Sequence, residues 1–153
     1  DYAENITLAN IDTFDAFSGR ISFTVTPQTL NQSVTLTRPF ALLIAGSSNY
    51  NPAVTNQSAS LTIDKVATAY NAISGTISGS AAQTFNYNID GSAVPNKSGF
   101  TMVGAAYILP VTNTRVTVGV STTATNTKSV TAFIDNIEPN NRYNILGTDL
   151  ISY

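Results

Sequence analysis

Apolar residues return at every second position in seven blocks of this chain, with turn signals between the blocks, and that pattern restricts the fold to short strands. Ile21, Phe23 and Val25 form one phase, and Leu61 and Ile63 another. Phe85, Tyr87 and Ile89 follow, then Val103, Ala105, Tyr107 and Leu109, then Val116, Val118 and Val120, then Val130, Ala132 and Ile134. Each block predicts one strand. Between them lie Ser47-Ser48-Asn49 with Asn51-Pro52, Asp90-Gly91, Pro95-Asn96, Thr112-Asn113, Thr125-Asn126 and Pro139-Asn140-Asn141. These residues suit tight turns, because Gly and Asn tolerate positive φ and Pro fixes its own. An all-β fold, an antiparallel β-sandwich, is the expected class. One short helical turn is expected near the start, where Asp12 can cap the stretch DTFDAF, Asp15 reaches back, and Phe14 and Phe17 share a side.

The remaining block, Val34 to Gly46 (VTLTRPFALLIAG), carries a charge and a proline in its middle. Val34, Leu36, Phe40, Leu42 and Ile44 share the even phase, which reads as one face against a core. Arg38 falls on that phase too. A guanidinium does not enter an apolar core unpaired, and Pro39 has no N–H to give a ladder. The reading is a structural corner at Arg38 and Pro39, where the strand kinks and changes partners. Arg38 is then bridged to a carboxylate such as Asp15 or Glu138, and contact with a ligand is the alternative.

Side-chain chemistry is scarce. The 153 residues include no His, no Cys and no Trp, and only 10% are charged, against about a quarter in typical domains. Imidazole bases, thiolate nucleophiles, disulfides and zinc fingers are thereby excluded. No cofactor is expected. A net charge of −2 gives no basic footprint, so nucleic acid is not an expected partner. The longest apolar run, Phe40 to Gly46, falls far short of the ~20 residues a membrane helix needs. Ser, Thr and Asn supply over a third of the chain, a neutral polar surface that favours extracellular display.

Each candidate for chemistry has a plainer structural reading. Asp12 with Asp15 could form a carboxylate dyad or a calcium ligand set, but capping accounts for both. Asp135 and Glu138 could lie on one loop near Arg142, where turn geometry explains them better. Lys97-Ser98 and Lys128-Ser129 are not dyads, since neighbours in a strand point to opposite faces. Gly75 and Gly79 lack the following helix that a phosphate loop requires. An autocatalytic Lys–Asn cross-link needs a buried lysine beside an acid, and Lys65 is the plausible donor. Tyr70, Tyr87, Tyr107 and Tyr143 fall on strand phases that bury them, leaving Tyr50 as the exposed ring. N-x-Ser/Thr acceptors stand at Asn5, Asn31, Asn56 and Asn96.

An ordered set of segments resembles the fimbrillin-type pilins, the fimbrial surface proteins of Bacteroidales. It consists of Phe14 to Gly46 (FDAFSGRISFTVTPQTLNQSVTLTRPFALLIAG), Ala69 to Ser80 (AYNAISGTISGS), Ala105 to Val111 (AAYILPV) and Asn140 to Leu150 (NNRYNILGTDL). The resemblance implies a transthyretin-like sandwich. Residues 1–32 are then the end of a preceding domain, or amino-terminal strands with the helical turn, and residues 33–153 the β-sandwich domain. It further implies a pilin or pilus-associated subunit, exported to the cell surface as a lipoprotein, part of a fimbrium at the outer membrane, and held there only through a lipid anchor absent from this chain. Its partners would be neighbouring copies or other fimbrial subunits, joined by β-strand exchange in support of adhesion, with a host protein or glycan as a further partner. Tyr143, Ile145, Leu146, Leu150, Ile151 and Tyr153 form a terminal segment apolar enough to be the candidate assembly strand. Its other reading is an ordinary last strand. The alternative function is a monomeric surface module that binds carbohydrate or a host ligand; no residues are assigned to catalysis or metal binding.

Overall fold

The computed structural model describes residues 5–7, 15–53, 57–123 and 126–151. Its strands, in chain order, are β1 (Asn5–Thr7), β2 (Ala41–Ser47), β3 (Ser58–Val66), β4 (Ala69–Asn71), β5 (Ile77–Ser78), β6 (Ala81–Asn88), β7 (Thr101–Ile108), β8 (Val111–Thr123), β9 (Asn126–Ile137) and β10 (Arg142–Gly147). They form a four-stranded antiparallel sheet in the order β6-β3-β8-β9, a three-stranded sheet in the order β10-β2-β7, and a small sheet in the order β1-β4-β5. The protein is all-β, in a sandwich-like arrangement. β10 runs parallel to β2, whereas β7 runs antiparallel to it.

β3 and β8 behave as their alternation predicts. Leu61 and Ile63 pair with Val118 and Val116, and all four are buried in one cluster with Val120. Their intervening residues form the opposite, polar face. Thr84, Thr62, Thr117 and Thr131 make one row across the four strands, with hydroxyl pairs Thr62–Thr84 and Thr117–Thr131 each at 2.9 Å. One face apolar and one face hydroxylated is the arrangement that period-2 sequences encode most legibly.

The phase of β2 is the reverse of the one expected. Ala41, Leu43 and Ala45 enter the main cluster, whereas Ile44 is buried outside it and Leu42 is half-buried. The cause is the register: Ala41, Leu43 and Ala45 lie opposite Ile108, Ala106 and Gly104 of β7, and Leu43 and Ala45 lie beside Tyr143 and Ile145 of β10. Small residues thus carry the inner face of this sheet. β7 departs from its expected phase for the same reason, since Ala106 and Ile108 face inward instead of Ala105 and Tyr107. A bulge between Ala45 and Gly46 inserts one extra residue, and such an insertion shifts the facing of the residues beyond it. Val103 rejoins the core there.

Two expectations at the start of the chain are corrected. No helix occurs among the described residues. Asp12 to Phe14 lie outside them, and Asp15 to Phe17 form no helical turn: the Asp15 carboxylate sits 2.7 Å from Arg38 Nη2, and the guanidinium lies over the Phe17 ring at 5.0 Å. The block Ile21, Phe23, Val25 is not a strand either. Phe23 is 58% and Val25 83% exposed. A strand needs a ladder partner, and the only backbone bonds tying this stretch down among the described residues are the reciprocal pair between Ser18 and Thr37, both 2.8 Å.

Leu43→Ala is therefore expected to cost about 2–5 kcal/mol, read as a lowered denaturation midpoint, whereas Val25→Ala should stay within about 0.5 kcal/mol. Hydropathy alone ranks these two sites as near equals.

Candidate functional site

Arg38 and Pro39 stand directly before β2, both half-buried, and the first ladder residue is Ala41. The chain here does not kink within a strand; it enters one. Asp15 takes the guanidinium, whereas Glu138 accepts from Asn136 at 3.1 Å and Asn141 at 3.2 Å. Arg38 Nε is buried with no hydrogen-bond partner among the described residues, so among these the ion pair and the Phe17 ring satisfy the group incompletely. The Asn140 N–H donates to the Phe40 carbonyl at 2.8 Å, which ties the turn before β10 to the entry of β2.

The terminal segment is held within its own sandwich. Tyr143 and Ile145 pack on the core, Leu146 pairs with Gly46, and Leu150 and Ile151 are buried in the main cluster. Four groups at the end of β2 hold the turn after β10. Ser48 N–H donates to the Gly147 carbonyl (3.1 Å), Ser48 Oγ to the Thr148 carbonyl (3.1 Å), Leu150 N–H to Ser47 Oγ (3.3 Å) and Ile151 N–H to Asn49 Oδ1 (3.2 Å). Gly147 permits this return, because a Cβ there would lie 2.5 Å from Leu150 Cγ. Tyr153 lies outside the described residues.

One polar lock had no sequence signal beyond an acid near a strand end. Asp64 Oδ1 accepts from the Arg115 N–H and the Thr114 hydroxyl, both at 2.8 Å, just past the last β3–β8 pair, Ile63–Val116. Thr114 is fully buried, and its hydroxyl also lies 2.9 Å from the Lys65 carbonyl. These donors, the Arg115 N–H foremost, hold the Asp64 carboxyl below the ordinary carboxylate range. Lys65 itself is exposed, so the buried lysine that a cross-link would need is not there. Tyr50 is also corrected: it packs partly against the core, and a Cβ on Gly91 would meet its ring at 3.1 Å.

The recesses lined by described residues are shallow. One lies over Gly119 on the polar face, walled by Ser58, Ser60, Asn86, Asn88 and Ser121, where the missing side chain leaves a neutral trough. Another is bordered by Lys65, Ile77, Pro110 and Val111. Among the described residues no three of His, Cys, Asp and Glu converge on a metal position, and no helix is long and apolar enough to cross a membrane.

More distinctive are the unpaired backbone and the apolar side chains beside it. Ile21, Phe23, Val25, Leu30, Val34 and Leu36 are all exposed on one stretch of chain, and β9 forms a long sheet edge. Fold and surface together define an all-β, sandwich-like protein that presents main chain and a threonine-rich sheet face. The chain belongs to the family of unknown function DUF6562, whose model matches residues 2–147. No curated protein matches it.

Asp64 has a depressed pKa, so its contribution to stability is complete above the unfolded carboxylate value of ~3.9 and is lost as pH falls through the lower folded value. Asp64→Asn should lower the melting temperature at neutral pH. It should also narrow the gap between neutral and strongly acidic melting temperatures, measured by circular dichroism against the parent chain.

Proposed function

We propose that this protein is a structural subunit of a cell-surface fimbria, a pilin or pilus-associated protein rather than an enzyme, which joins its neighbours by β-strand pairing and supports adhesion. The observation that carries this reading is the stretch from Arg20 to Leu36, exposed and outside every strand. Its first part alternates Ile21, Phe23 and Val25 with Ser22, Thr24 and Thr26. Leaving such side chains in water forfeits about 25 cal/mol per Å² of apolar surface. A neighbour's sheet edge would recover that and supply the missing ladder.

Two further features support the reading. The outer face of the four-stranded sheet carries a row of threonine hydroxyls, which suits a surface protein, and chemistry by imidazole or thiol is excluded by composition. The donor segment in this reading is the alternating stretch near the start. The terminal segment around Tyr143 to Ile151, engaged with β2 and the core, stays in place as the last strand of its own sandwich.

Electron microscopy of the purified chain tests the proposal. Filaments with a repeat matching one chain are expected, and Val25→Asp should abolish them without moving the melting temperature of the monomer, since Val25 is 83% exposed. A persistent monomer that retains a neutral glycan on an affinity column would instead favour a ligand-binding surface module.

A further inference from the structure

β9 spans twelve residues, about twice the usual strand length, and among the described residues β8 is its only strand partner. Its outer edge is a row of backbone donors and acceptors with no ladder among the described residues. Natural edges of this length are blunted by prolines, inward charges or outer bulges. Here there is no proline, and the inward-facing lysine, Lys128, is drawn away to an ion pair with Asp149. The other flank of the sandwich is closed differently: the Tyr87 hydroxyl donates to the Ala105 carbonyl of β7, and its ring lies where a Cβ on Gly104 would be.

The core also thins along the middle of β9, although Ile137 at its end is fully buried. On β8, Val116 and Val118 are fully buried, yet their partners Ala132 and Val130 are not, Val130 being 38% exposed. On the outward face Phe133 is 59% exposed.

We infer that β9 pairs antiparallel with β9 of a second copy about a two-fold axis at Ala132, joining two four-stranded sheets into one of eight. A two-fold axis normal to the sheet keeps each residue on its own face, so only same-parity partners are allowed. Centring on Ala132 sets Val130 opposite Ile134 and Ala132 opposite itself on the inner face, with Lys128 opposite Asn136. On the outer face Thr131 meets Phe133 and Ser129 meets Asp135. Centring on Thr131 sets Lys128 against Ile134, and centring on Phe133 sets Val130 against Asn136. Of these three centres, Ala132 is thus the one that matches Val130, Ala132 and Ile134 with one another and opposes no like charges, while Ile137, buried in the core at the strand's end, falls opposite Thr127.

The absence of Cys allows a clean test on the full chain. In the Val25→Asp background, where filaments do not form, the chain should sediment as a dimer, and Ala132→Cys should cross-link to itself under mild oxidant, since opposed Cα atoms at a two-fold pair lie about 4.5–5.5 Å apart. Ser129→Cys should not, because its own copy would sit about 20 Å away along the strand. Ala132→Lys should weaken dimerisation by about a hundredfold or more with the monomer still showing its β-sheet circular dichroism. A monomeric Val25→Asp chain, a dimer indifferent to Ala132→Lys, or equal cross-linking by both cysteine variants would overturn the pairing. So would polymers lost in both Val25→Asp and Ala132→Lys with no Ala132→Cys cross-link, which would give the β9 edge to a donor segment instead. The dimer is independent of filament formation, which Val25 reports.

Discussion

β2 is the strand on which the two larger layers depend. Its backbone is bonded on both edges, to β7 and to β10, and its inner face supplies Ala41, Leu43 and Ala45 to the core. A parallel partner cannot be reached by a tight turn, so β10 must return from the far end of the chain. Ser47, Ser48 and Asn49 then hold that end through the hydrogen bonds that fix Thr148 to Ile151. At the other end, Arg38 and Pro39 deliver the chain to the strand. The Asp15 ion pair and the Phe17 ring hold the half-buried guanidinium while Phe40, two residues on, enters the core.

Satisfying β2 so completely leaves the unsatisfied backbone elsewhere. One flank of the sandwich is sealed where Tyr87 fills the space beside Gly104. At the opposite flank β9 ends its sheet with half-covered apolar side chains, and the Arg20 to Leu36 stretch lies outside every strand. These are two different opportunities for a second chain. A symmetric edge closes on itself as a dimer, whereas an unpaired segment that docks on another surface propagates. The functional reading and the further inference rest on these separate features.

How far the sequence could be read depended on what each face meets. Leu61, Ile63, Val116, Val118 and Val120 were legible because one side of their sheet packs inward and the other carries Thr and Ser. On β2 both sides are largely covered, with Ile44 buried on one and Leu43 on the other, so hydropathy could not tell inner from outer. Alanine and glycine then carried the inner face, and they give no periodic signal. Ile21, Phe23 and Val25 alternate as well as any strand in the chain. Alternation records only that a segment is amphipathic when extended, and a ladder depends on a partner elsewhere. The Asp64 lock on Thr114 and Arg115 joins residues some fifty positions apart, which no local pattern announces.

By itself, the sequence determined an all-β class, strand phases wherever one face is polar, and a surface without imidazole or thiol chemistry, because these are set by local periodicity and composition. Tertiary structure alone decided that β10 lies parallel to β2, that Asp15 rather than Glu138 neutralises Arg38, that the terminal residues Leu150 and Ile151 belong to the core, and that β9 is an open edge. The physical reason is that register and neighbour choice are set by non-local backbone pairing. Its energy depends on which faces and edges come together, and a single strand's side-chain pattern does not encode that.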